Sequence, residues 1–260
     1  MAQREESLLA RLSPRGRANR KKHKEIDEYV GSQLNAAREV DLSYGKVPQD
    51  KVLDMVLASD MERIRLTLEQ TDRQAFALAA DMLLKAETIY VAGIRSCAPL
   101  ASFLSFYLHQ IFPDVRLVST SSMEEIFEQL IRIGPADVLI GISFPRYSMR
   151  TLKAMELANT RKAGTISITD SDHSPLTLYS SCNLIARSDM SSIVDSLVAP
   201  MSLINALIVA LCIRRQKEVA GYLRAEDTLW DEFQFYRRDE LNYADEEADV
   251  SLIDPEKEQK

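Results

Sequence analysis

Only three cysteines, Cys97, Cys182 and Cys212, occur in 260 residues, widely spaced and without a C-x-x-C pair. That spacing excludes a disulfide framework and a cysteine-based zinc site, and it fits a reducing cytoplasm. Histidine is as scarce. His23, His109 and His173 are scattered, and there is no H-x-x-x-H, no G-x-S-x-G and no P-loop lysine. The common zinc-hydrolase, serine-hydrolase and nucleoside-triphosphatase patterns are therefore out. The first ten residues carry acids and no apolar h-region, which argues against a secretory signal. A long unbroken apolar run is also missing: the best stretch, Ile193 to Ile213, is interrupted by Asp195, Pro200 and Asn205. It reads as a core or interface helix, and no membrane association is expected. Excess positive charge is absent, the formal net charge being −7. That argues against a wholesale nucleic-acid coat but leaves room for a local basic patch.

What is present is a regular alternation. An apolar share of 46% is enough for a substantial core. Short β-rich runs fall at 88–92, Val115–Val118, 138–142, Thr165–Thr169 and Asn183–Ala186. Helical patterns separate them, at about 97–112, Met123–Ile133 and Ser148–Lys162, with a short one near Ser174–Ser180. Strands joined by helices imply βαβ units with right-handed crossovers, hence an α/β fold: a five-stranded, parallel, doubly wound sandwich. With strand order 2-1-3-4-5 the winding reverses between strands one and three, and ligands bind there, at the strands' carboxyl ends. Ahead of the sheet, Pro48 and Asp50 open a helical pattern to about Gln70, and Thr71 or Asp72 can cap a second helix. Behind it, 193–215 is apolar on nearly all faces, so part of it is expected to pack against a second subunit. Trp230, Phe233, Phe235 and Tyr236 continue a helical pattern before an acidic tail.

Two loops follow strands one and three: Gly93-Ile94-Arg95-Ser96-Cys97 and Ser143-Phe144-Pro145-Arg146-Tyr147-Ser148. A strand that ends at small and hydroxyl residues and restarts as a helix presents orphan N–H groups and a dipole that favour anions. Ser96 and Ser143 are thus the leading phosphate ligands, although a lone Ser there is often only an N-cap. Ser148 can cap its helix or reach the same anion. Arg95 and Arg146 can clamp a phosphate bidentately or serve as ordinary surface arginines. After strand two, Ser121 can add a hydroxyl and Glu125 can accept from a sugar hydroxyl; alternatively Ser122 and Glu125 form a capping box. Asp170, Ser171 and Ser174-Pro175 read as a capped strand-to-helix turn. No catalytic centre stands out. His109 is expected to be packed within a helix, and only His173 and Glu125 can be offered as acid and base for an isomerisation. The pattern calls for no cofactor and no metal.

Residues 1–47 differ in kind. Seven Arg or Lys residues fall between Arg11 and Lys24 without an acid, and Pro14 and Gly16 argue against a long regular helix there. The plain reading is a solvated arm; the sharper one is a nucleic-acid contact through Arg15, Arg17, Arg20, Lys21 and Lys22.

Three segments in order resemble an SIS (sugar isomerase) domain, a phosphosugar-binding module. They are Gly93–Ser96, the Ile142-Ser143 loop ending at Ser148, and Ile168-Thr169-Asp170-Ser171 with Ser174-Pro175-Leu176. With Arg187-Ser188-Asp189 and Asp195-Ser196-Leu197, the wider span from about residue 50 to Trp230 resembles the ligand-sensing half of RpiR-type transcription regulators. In the third-strand loop, Pro145 and Arg146 stand where SIS domains commonly have Ser and Gly. Where that family carries a helix-turn-helix, this chain has the basic arm. Composition and the resemblance together divide the chain into a basic arm at 1–47, standing as a remnant of the DNA-binding domain, a helical linker at 48–86, an SIS domain at 87–217 and a C-terminal helix with acidic tail at 218–260. It also implies a cytoplasmic, non-enzymatic regulator, a homodimer or homotetramer, that binds a sugar phosphate and through it modulates DNA binding. A phosphosugar isomerase, or a stand-alone SIS regulator acting through a protein partner, are the alternatives.

Overall fold

The computed structural model describes residues 22–32, 48–119, 122–188 and 195–233. It divides into two units, Met1–Arg214 and Arg215–Lys260. In the first, helix α1 covers residues 22–32, and a 3-10 turn at Gln49–Lys51 leads into α2 (Val52–Gln70) and α3 (Arg73–Lys85). The sheet region then runs β1 (Ile89–Gly93), α4 (Ala98–Ile111), β2 (Val115–Val118), α5 (Met123–Gln129), β3 (Val138–Ile142), α6 (Met149–Thr160), β4 (Gly164–Thr169), β5 (Cys182–Ile185) and α7 (Val198–Arg214). The second unit contains α8 (Gln216–Phe233).

All strand pairings are parallel, in the order β2-β1-β3-β4-β5. Every residue of β1 and β3 is buried, as uninterrupted apolar runs require when both sheet faces are covered. One face is closed by α5 and α6: Ile126, Leu130, Ala154, Met155 and Ala158 pack on Tyr90, Ala92 and Leu139. Helix α4 packs against β1 and β2, α3 against β5, and α7 rests on α2, α3 and α4. Asp72 caps α3, its carboxylate accepting from Gln74 N–H at 2.7 Å and Ala75 N–H at 3.3 Å.

Two elements and one residue depart from the sequence expectation. Helix α5 stops at Gln129, not Ile133: Leu130 N–H bonds to Ile126 O at 3.1 Å, and Ile133 N–H bonds to Leu130 O at 3.0 Å. The chain tightens into three-residue turns ahead of Gly134-Pro135, and Leu130 and Ile133 stay buried in the core. Within the arm, residues 22–32 are helical and Ile26 is buried, so this part is a packed helix and not solvated chain. His109 is exposed in the last turn of α4 instead of packed. Helix α7 buries one face, through Leu203, Ile204, Leu207, Ile208 and Leu211, and leaves Val209 (56%) and Ile213 (62%) in solvent. Among the described residues no single helix is long and apolar enough to cross a membrane.

Candidate functional site

The register decides the geometry. Gly93 of β1 stands beside Ile142 of β3, so the loops that follow begin at the same level, side by side where the winding reverses. Gly93 permits a close approach: a Cβ there would lie 2.7 Å from Cys97 O and 2.8 Å from Ala101 Cβ. Any side chain would push the start of α4 away from the strand end.

Each loop contains an arginine in the left-handed region, Arg95 at φ 61° and Arg146 at φ 65°. Non-glycine residues held there cost on the order of 1–3 kcal/mol and gather at ligand-binding loops. Arg95 belongs to a 3-10 turn, Arg95–Cys97, that runs into α4. In the other loop Ser143, 2% exposed, accepts from Ser148 N–H at 3.0 Å and is fixed by its own N–H to Ile168 O at 3.2 Å. Ser148 is the N-cap of α6, its hydroxyl accepting from Thr151 N–H at 3.4 Å.

Between the loops lies a cleft of about 210 Å³, lined by Ile94, Arg95, Ser96, Cys97, Ser143, Phe144, Pro145, Arg146, Ser148 and Asp195. It is below the usual 300–1,000 Å³ of a drug-sized pocket and suits a small polar ligand. Five of the residues singled out from sequence, Arg95, Ser96, Ser143, Arg146 and Ser148, meet there. Glu125 is not among the lining residues; it lies exposed in the first turn of α5, where Ser122 is the N-cap and accepts from Glu125 N–H at 3.5 Å. Ser121 lies outside the described residues, as do Arg15, Arg17, Arg20 and Lys21; Lys22 opens α1 and reaches Thr177 O at 3.2 Å. His173 is exposed in the loop after β4 and does not line the cleft.

Asp195 was missed as a site residue. It pairs with Arg146 at 3.2 Å, and their different exposures, 54% and 16%, set the arginine at the rim with its partner below. A half-exposed pair of this kind contributes only ~0–1 kcal/mol, so an incoming dianion can take over the guanidinium. The only sequence signal was the Asp195-Ser196-Leu197 match. Cys97 lines the floor, but burial pushes its thiol above the ordinary value, against a weaker backbone interaction from Phe144, so it stays a neutral thiol.

Asp170 also plays a part that local sequence hid. Ser174, with Pro175 at the first helical position, caps the following 3-10 turn by accepting from Leu176 N–H. Asp170 instead accepts from Tyr147 Oη at 2.9 and 3.1 Å, from Tyr29 Oη at 2.6 Å and from Thr169 Oγ1 at 3.1 Å. Burial raises its pKa despite these donors. Among the described residues no cluster of His, Cys, Asp and Glu is placed to hold a metal ion.

A five-stranded parallel sheet with an arginine- and serine-lined cleft at its switch point defines a doubly wound α/β fold. Residues 82–210 match the family model of the SIS domain, and the five-stranded order is that of its fold: the chain carries an SIS domain. Comparison with curated proteins finds no match. Among solved structures, the sugar isomerase domain of an RpiR transcription factor from Sphaerobacter thermophilus is similar at 25% identity and TM-score 0.66, over 68% of this chain and 99% of that one. The Vibrio vulnificus NanR protein complexed with ManNAc-6P is similar at 19% identity and TM-score 0.63, over 77% and 75%. Phosphoheptose isomerase GmhA from Neisseria gonorrhoeae follows at 14% and 0.54, over 63% and 98%. At their lower identities the last two speak to the fold alone.

Proposed function

We propose that this protein is a cytoplasmic sugar-phosphate sensor that regulates transcription. It binds a phosphorylated sugar or amino sugar in the β1/β3 cleft, and occupancy modulates DNA binding. The observation that carries the reading is the meeting of two strained, arginine-bearing loops with Ser96, Ser143 and Ser148 in one small cleft. The hydroxyls and helix N-termini take the phosphate; Arg95 and Arg146 neutralise it, the latter by leaving Asp195. Ser121, after β2, is assigned to a sugar hydroxyl, whereas Glu125, outside the cleft, is not. DNA is assigned to Arg15, Arg17, Arg20, Lys21 and Lys22, as clustered cations bind phosphates without base contacts. The uncovered apolar face of α7 supports a homodimer or homotetramer. Likeness to an RpiR transcription factor supports the regulator over other users of the same fold.

Thermal unfolding tests the ligand. Wild type and Ser143→Ala are scanned against phosphorylated sugars, ManNAc-6P among them, and against the same sugars without phosphate. Ligand at about 100 times its Kd stabilises by ~2.7 kcal/mol, raising Tm by roughly 5–11 °C. The shift is expected only with phosphorylated sugars, and only in wild type. A flat response across the panel would refute the sensor.

A phosphosugar isomerase is the second reading, favoured by the Asp195 carboxylate in the cleft. Turnover of a bound sugar phosphate that disappears in Asp195→Asn would establish it.

A further inference from the structure

We propose that Tyr29, Asp170 and Tyr147 form a latch through which helix α1 positions the β3 loop of the cleft, coupling the basic arm to ligand occupancy. For its ligand arm the inference rests on the sugar-phosphate reading; the coupling itself does not.

Tyr147 sits between two cleft residues, Arg146 and Ser148, but its hydroxyl points away to the Asp170 carboxylate at 2.9 and 3.1 Å. The same carboxylate accepts from Tyr29 of α1 at 2.6 Å, across 141 residues of sequence. Asp170 is 4% exposed, so water cannot replace a lost donor cheaply. Thr169 closes the circuit: its hydroxyl lies 3.1 Å from Asp170 Oδ1 and 2.8 Å from Ser143 O, the backbone of the cleft's own serine. One buried carboxylate therefore has the ligand loop on one side and α1 on the other.

The loop needs this support. Arg146 at φ 65° persists only where its surroundings over-determine it, and Tyr147 is its immediate neighbour. Helix α1 is seated independently by buried Ile26, by Lys22 Nζ on Thr177 O at 3.2 Å and by the Tyr29 ring against His173 at 5.9 Å. With α1 docked and the carboxylate satisfied, the loop holds its cleft form. Linkage is reciprocal, so a phosphate that favours this loop conformation tightens the docking of α1 by the same factor. Arg20 and Lys21 immediately precede α1, and Lys22 is spent on Thr177 when it is docked. Ligand would thus restrain the segment proposed to meet DNA.

Hydrogen exchange of the full chain, without ligand, reads the coupling directly. Tyr29→Phe removes only a hydroxyl and is expected to speed exchange over 143–148 by about five-fold or more. Tyr147→Phe does the same over 22–32. Lys24→Gln, a change on α1 that breaks only the surface pair with Glu28, alters neither. Inorganic phosphate is then added as probe: it slows exchange over both 143–148 and 22–32 in wild type, and over 143–148 alone in Tyr147→Phe. Unchanged loop exchange in Tyr29→Phe overturns the latch, whatever the ligand. Phosphate that protects the loop but not α1 overturns its link to occupancy. If Tyr29→Phe loosens the loop while neither phosphate nor any sugar phosphate protects it, the coupling stands and the sugar-phosphate reading is what falls.

Discussion

The Asp170 carboxyl shows how burial can outweigh three hydroxyl donors, because desolvation is the largest influence on it and lifts its pKa above the ordinary carboxylate value. The native state holds this proton more tightly than the unfolded chain. Its stabilising contribution is fully present below the unfolded value of about 3.9 and is lost as pH rises through the folded one. Urea midpoints for wild type and Asp170→Asn, followed upward from about pH 4, should move in favour of the Asn variant. Parallel curves would mean that the carboxyl titrates normally. Two glycines give a sharper contrast. At Gly93 a Cβ meets the backbone oxygen of Cys97 at 2.7 Å, whereas at Gly141 it meets the flexible end of Met155 at 2.5 Å. Gly93→Ala should cost about 1–3 kcal/mol and Gly141→Ala less, by denaturant unfolding. Equal costs would show that the α4 terminus can move off the strand.

Among the elements, the ones with strong local signals match their expected extents. Pro48 opens the α2 segment, Asp72 caps α3, Ser148 caps α6, and the strands lie within a residue or so of the apolar runs. Asp72→Ala removes two N–H partners from the first turn of α3 and should destabilise by about 0.5–2 kcal/mol in a urea titration. No loss would mean that α3's packing on β5 alone fixes its start. The elements that escaped had weak or misleading local signals. Helix α5 kept apolar spacing through Ile133, but three-residue turns, Ile131 N–H to Glu128 O and Ile133 N–H to Leu130 O, end it early ahead of Gly134-Pro135. Helix α1 follows Pro14, Gly16 and a run of basic residues in the sequence, and its docking depends on β4-side partners more than a hundred residues away.

At the scale of the molecule, the sheet places both loops in one cleft, and the helices close both faces of β1 and β3. The remaining apolar surface is on the outside. Val209 and Ile213 stand on the uncovered side of α7, and Leu53, Leu57 and Met61 form an exposed stripe at four-residue spacing on α2. Light scattering should give a mass of two or four chains for wild type, and Val209→Glu with Ile213→Glu should reduce it without unfolding the sheet. A monomeric wild type would leave the α7 face unexplained by self-association. The separate unit from Arg215 on contains an amphipathic helix, and its acidic tail was legible only as composition.

By itself the amino-acid order determined the α/β class, the five strands and the switch-point loops, because period, capping and strand length are local and repeat along the chain. Arg95, Ser96, Ser143, Arg146 and Ser148 were readable for the same reason: each lies where a strand run gives way to a helix pattern. Tertiary structure alone decided that Asp195 faces Arg146, that Glu125 stays outside the cleft, and that Asp170 joins Tyr29 to Tyr147 instead of capping a turn. Those facts depend on which distant groups share a low-dielectric space. No spacing in the sequence records that, because only closure of the sheet brings the partners together.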